Sequence, residues 1–133
     1  MTSVYKTFNM VFIKLIEDFI MLFPKDVELK RYKRGALLYK QFNTRKPFNV
    51  FKEYSVPFRS KIEQRDESFF INNNYNEIAE VSKSNDIQMF IQKIKMLWNQ
   101  ISETNRGKVW EYLILLCKIT DKTETKEPKL FAV

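Results

Sequence analysis

The stretch Asp86-Ile87-Gln88-Met89-Phe90-Ile91-Gln92-Lys93-Ile94-Lys95-Met96-Leu97-Trp98-Asn99-Gln100-Ile101 decides the fold class. Its apolar members Ile87, Phe90, Ile91, Ile94, Leu97, Trp98 and Ile101 recur at steps of three and four, which lays them along one helix face. A strand would need alternation, and there is none. Ser84 or Asn85 is placed to cap this helix, since a short polar side chain satisfies a free first-turn N–H. Downstream, Ser102 to Asn105 reads as a turn into a last helix ending near Ile119, with Val109, Trp110, Leu113, Leu116 and Cys117 facing inward. Two helices joined by so short a turn predict a C-terminal antiparallel hairpin.

Upstream, Phe8, Val11, Phe12, Leu15, Ile16, Phe19 and Leu22 mark one face of a helix from Ser3 to Leu22, which Pro24 stops. Leu29, Tyr32, Ala36 and Leu37 carry a second helix from Asp26 to about Gln41, weakened slightly by Gly35. Pro47 and Pro57 each favour a helical first turn and predict short helices ending near Tyr54 and Gln64. Asp66 reads as a cap for one more turn to Ile71, and the asparagine-rich 72–76 as a loop. The fold expected is therefore all-α, a compact bundle of about six helices. Residues 1–120 form one helical domain, and 121–133, from Asp-Lys-Thr-Glu onward, a polar C-terminal tail too hydrophilic to join a core. Four Pro and two Gly in 133 residues suit helices better than turn-rich β structure.

Charge is unevenly spread. The chain carries +7, but 25–65 holds twelve basic residues against four acids, a local +8. Such a segment attracts polyanions, whether nucleic acid, anionic lipid or an acidic protein surface, although a solvated helix face would look the same. Tyr32, Tyr39, Phe42, Phe48, Phe51, Tyr54 and Phe58 interleave with these cations, as in proteins that stack single-stranded bases. The short helices must bury something, however, and Phe48, Phe51 and Phe58 serve that need first. Lys30, Arg31, Lys33, Arg34, Arg45 and Lys46 are left as the candidates for polyanion or partner contact.

For catalysis the sequence offers little. It contains no histidine, one cysteine and two isolated glycines. His-assisted nucleophiles, the common zinc and non-haem iron sites, P-loops and dinucleotide fingerprints all require residues that are missing. Asp26-Val27-Glu28-Leu29-Lys30 includes the acid-x-Lys triplet of some metal-dependent nucleases, yet acids at a helix start are expected from the helix dipole alone. Glu17-Asp18, Asp66-Glu67 and Glu77 with Glu80 read as caps and surface. Trp98 and Trp110 lie on inward stripes, so packing explains them before a ligand pocket does. Cys117, in the apolar run Tyr112 to Cys117, reads as core. Phe131 and Val133 only weakly suggest an end-capture peptide. The expectation is a non-enzyme with no cofactor and no metal.

The apolar-rich stretch Val11 to Phe23 is broken by Lys14, Glu17 and Asp18, short of the roughly 18 residues a membrane span needs. Together with the lone cysteine, this predicts an intracellular protein, neither secreted nor transmembrane.

Three stretches carry a resemblance: Phe12-Ile13-Lys14-Leu15-Ile16-Glu17-Asp18-Phe19 ending in Phe23-Pro24; Pro47-Phe48-Asn49-Val50-Phe51-Lys52-Glu53-Tyr54 with Ile62 and Asp66-Glu67-Ser68-Phe69-Phe70; and Leu97-Trp98 followed by Val109-Trp110-Glu111-Tyr112-Leu113. In this order and spacing, across residues 8 to 118, the chain resembles small helical proteins encoded by large double-stranded DNA viruses of algae and amoebae. The resemblance implies a viral origin, and with it a host-cell or virion location, leaves the activity open and transfers no catalytic residue. The expected function is a non-catalytic helical interaction or structural module, as a viral virion or assembly component, with a protein partner first. Nucleic-acid binding through 25–65 is the alternative.

Overall fold

The structure, a computed structural model, describes the backbone of residues 3–68 and 86–132 and the side chains of 3–68 and 87–121. Among the described residues every regular element is helical. Helix α1 spans Val4–Leu22, α2 Val27–Phe42, α3 Arg45–Ser55, α4 Arg59–Glu63, α5 Asp86–Leu97 and α6 Glu103–Ala132, with 3₁₀ turns at Val56–Phe58 and Trp98–Gln100.

The ends follow local chemistry. Ser3 Oγ accepts from the Tyr5 N–H at 3.1 Å, and Asp26 Oδ1 accepts from Glu28 and Leu29 at 3.0 and 3.3 Å. Ser102 caps α6, accepting from the Asn105 N–H at 3.2 Å. Each cap gives a helix-start N–H a partner it would otherwise lack. Helix α4 closes with a Schellman turn, in which the Asp66 N–H donates to Lys61 O at 2.8 Å and the Arg65 N–H to Ile62 O at 3.1 Å. The left-handed position of that turn, at φ 54°, is filled by Arg65 where glycine is usual. The expected turn beyond Asp66 begins with its carboxylate accepting from the Ser68 N–H at 2.9 Å. The remainder of that turn, the 72–76 loop, the Ser84 and Asn85 caps and Glu77 with Glu80 lie outside the described residues.

Helix α1 is the axis of the core, packed along α2 on one side and α6 on the other, while α5 rests on α3 and α2. Phe90 of α5 is fully buried, its ring meeting Phe12, Phe19 and Tyr32 at centroid distances of 5.6, 5.9 and 6.0 Å, largely edge to face. Phe8 joins Phe48 and Phe51 at 5.8 and 5.5 Å. Burial of large aromatic rings in such arrangements dominates core energetics, with each pair adding about 0.5–1.5 kcal/mol beyond area. All seven residues of the stripe from Ile87 to Ile101 are buried, as are all five inward residues expected of α6.

Helix α6 differs from expectation in length. It continues past Ile119 to Ala132 instead of giving way to an irregular tail. Where the extension starts, the Thr120 hydroxyl donates to Cys117 O at 2.8 Å, and Arg59 of α4 bonds Thr120 and pairs with Asp121. Lys122, Glu124, Lys126 and Glu127 are themselves good helix formers, so polarity alone did not mark an end. Leu37 and Leu22 were assigned to the core and are exposed by 42 and 40 %. They sit at the edges of their stripes, where the 100° step per residue carries a side chain past the contact.

Candidate functional site

Helix α2 and the start of α3 carry the six cations singled out from the sequence. Lys30, Arg31 and Arg34 are exposed on α2, and Arg45 and Lys46 are exposed in the first turn of α3. Among the described residues no ion pair engages any of these five. Lys33 is different. Its ammonium meets Glu17 of α1 at 3.1 Å and serves as a strut between neighbouring helices. Arg45 lies over the Tyr5 ring at 5.2 Å and Lys46 over Tyr39 at 5.8 Å, contacts that orient each cation while leaving it in water.

The corner between α2 and α3 is anchored from beneath. Buried Asn9 of α1 donates from Nδ2 to Thr44 O at 2.9 Å, and the Thr44 hydroxyl donates to Lys40 O at 3.2 Å. The α2–α3 corner, in the middle of the basic segment, is thereby held against α1. Two acids of the same region, Asp26 and Glu28, are engaged elsewhere. Lys93 of α5 reaches Asp26 and Glu28 at 2.8 Å each, clamping α5 to the start of α2. Burial alone would raise the Asp26 pKa, but Lys93 and the N–H groups of Leu29 and Glu28 outweigh it and hold the carboxyl below its ordinary value. For Lys93, burial works against the charge and the two carboxylates more than restore it, leaving the ammonium above its ordinary value. The acid-x-Lys triplet is thus drawn into a structural clamp with Lys93, and Lys30 points to solvent.

Asp18 and Glu67 have similar employment. Asp18 accepts from the Tyr112 hydroxyl, and burial followed by that acidic neighbour pushes the Tyr112 pKa up to about 12. Glu67 accepts from Trp98 Nε1 at 3.3 Å and from Arg106 at 3.2 Å, while Arg106 also donates to Trp98 O at 3.1 Å and lies over the indole at 5.1 Å. Trp98 and Trp110 stack edge to face at 5.5 Å, as packing requires. Cys117 is buried, and that burial pushes its thiol up to about 11, away from thiolate chemistry. Among the described residues no cluster of three or more acids and thiols is spaced to hold a metal ion, and no helix is long and apolar enough to cross a membrane.

Sequence reasoning missed the apolar half of the α2 surface. Val27, Leu37, Leu38 and Phe42 all face solvent beside the cations, as does Lys40. The signal was present in Ala36-Leu37-Leu38-Tyr39, because four consecutive apolar residues cannot all lie on one helical stripe. The aromatics divide in the opposite way to a base-stacking platform: Tyr32, Phe48 and Phe51 are buried, Tyr39, Tyr54 and Phe58 are half-buried, and Phe42 is exposed. No protein-family model, curated protein or solved structure matches this chain.

Proposed function

We propose that this protein is a non-catalytic helical interaction or structural module, whose working surface is the outward face of α2 together with the α2–α3 corner. The observation that carries the reading is the contrast within one region. Lys30, Arg31, Arg34, Arg45 and Lys46 reach solvent with no ion pair among the described residues, while Asp26, Glu28 and Glu17 are tied to Lys93 and Lys33. A rigid positive surface of this kind raises the local concentration of a polyanionic partner and orients it without any reacting group. A place in a virion or its assembly, and a viral origin, accompany this reading through the resemblance in the sequence. The reading also takes α5 and α6 as the antiparallel C-terminal pair; Trp98 and Trp110 meet across the turn between them, while α5 rests mainly on α3 and α2 and α6 on α1.

Nucleic-acid binding is the second reading, favoured by the density of cations on one face. The two separate by salt and sequence of substitutions. On immobilised heparin at low salt the protein is expected to be retained, and Lys30→Glu/Arg31→Glu/Arg34→Glu to flow through. Wild-type protein that is not retained would rule out a polyanion-docking face. For nucleic acid, affinity for duplex DNA should fall with salt along a slope of about 0.9 per phosphate contact, and a flat response overturns that reading.

A further inference from the structure

Helix α2 uses both of its faces. Leu29, Tyr32 and Ala36 enter the core. On the opposite side Val27, Lys30, Arg31, Arg34, Leu37, Leu38 and Phe42 fall within an arc of about 140° at 100° per residue. Composition changes along that outer face. Lys30, Arg31 and Arg34 occupy its first part, Leu37, Leu38 and Phe42 its second, and Lys40, Arg45 and Lys46 surround the corner where it ends. Leu38 is 57 % exposed and Phe42, the last residue of the helix, 75 %. Gln41 and Asn43 on either side of Phe42 are also exposed, so the ring stands on a convex corner. The Asn9 bond to Thr44 O fixes that corner to α1.

We infer that this corner docks on the surface of an anionic lipid bilayer, with Leu38 and Phe42 entering the headgroup region and the surrounding cations meeting lipid phosphate and carboxylate groups. The inference rests on the docking reading above and names its partner. Three properties of the face select lipid. A bilayer receives a protruding apolar side chain without a preformed pocket, whereas an acidic protein face would need a socket matched to Phe42. A nucleic acid would satisfy the cations and leave Leu37 and Leu38 in water. Charge complementarity is not cancelled locally, because Glu17 and Glu28 at the border are held by Lys33 and Lys93. Apolar insertion and basic attraction are the two signals that together give stable peripheral attachment where one alone is marginal.

The test is co-sedimentation of the full chain with vesicles of phosphatidylcholine alone and of phosphatidylcholine with phosphatidylserine at about three to one. Wild-type protein is expected to pellet with the second and not the first. Arg31→Glu/Arg34→Glu should abolish pelleting, each lost cation alone weakening binding about fivefold. Leu38→Ser/Phe42→Ser should weaken it roughly tenfold or more even at low salt, where charge attraction is strongest. These positions are exposed, and unchanged thermal transitions would show that the variants fold. Asn43→Cys carrying a polarity-sensitive fluorophore supplies a separate readout, since Cys117 is 2 % exposed and stays unlabelled. Its emission should shift to the blue on the anionic vesicles and stay put on duplex DNA. Protein that remains in the supernatant with anionic vesicles, a label that does not respond, or a Leu38/Phe42 variant that binds as wild type each overturns the lipid assignment. If heparin retention persists in those cases, the docking face stands and its partner is a nucleic acid or acidic protein. If retention is also lost, both readings fall.

Discussion

Lys95 is the side chain whose position is hardest to reconcile with its charge. It is 6 % exposed in α5, lies over the Phe58 ring at 5.7 Å, and burial, reinforced by Lys61, pushes its pKa down to about 8. An unfolded chain returns this ammonium to its ordinary value of 10.5. Between about 8 and 10.5 the unfolded state therefore holds a proton that the folded state has released, so Lys95 contributes a rise of stability with pH, which Cys117, ordinarily at 9.0 and held up to about 11 by burial, opposes above 9. Urea titrations at pH 7.5 and 9 are expected to show this rise, and Lys95→Met to flatten it by removing the buried charge. A wild-type profile that is level through this range would mean the ammonium is well solvated. Asp26 works in the opposite sense: its depressed pKa contributes stability that is complete above its ordinary 3.8 and lost as pH falls through the folded value.

At the scale of elements, two positions hold residues that suit each other's place. Gly107 lies inside α6 with a negative φ, and a Cβ there meets nothing within 4 Å. Arg65 occupies the left-handed position of the turn closing α4, at φ 54°. Glycine in a helix costs about 0.5–1 kcal/mol relative to alanine, and a left-handed residue bearing a side chain costs about 1–2 kcal/mol relative to glycine. Gly107→Ala is expected to raise the thermal midpoint by about 0.5–1 kcal/mol of stability. Arg65→Gly should gain somewhat less than its conformational relief, because glycine also loosens the unfolded chain. Calorimetry checks both, and a fall in midpoint for Gly107→Ala would indicate a neighbour that the helix face does not show. Local rules located most of these boundaries. Ser3, Asp26, Pro24 and Pro47 stand where the sequence placed them, because caps and prolines act through the one or two residues beside them. The end of α6 was not legible in this way, since its stop was inferred from polarity and helix formation does not depend on it.

For the whole molecule, stability converges on Phe90. Its ring touches residues from both α1 and α2, so it joins three helices that are far apart in sequence. Phe90→Ala is expected to cost about 3–5 kcal/mol, the range for emptying a buried aromatic site. Against a total of about 5–15 kcal/mol for a natural domain, that loss is a large fraction of the whole. Chemical denaturation checks it, and a cost below about 1 kcal/mol would mean the core closes around the gap. Val109 and Leu113 are buried on α6, which packs along α1.

What the sequence determined alone was the helical class, the inward stripes of α1, α5 and α6, and the charge of 25–65, because periodicity and charge are properties of the chain before it folds. Tertiary structure decided which of those charges are available. Lys33 looked no different from Lys30 or Arg34 until α1 brought Glu17 to it, and Asp26 and Glu28 were free acids until α5 supplied Lys93. It also decided that Leu38 and Phe42 would stand in water beside the remaining cations, since only the packing of α1, α3 and α5 against α2 determines which of its sides is left uncovered.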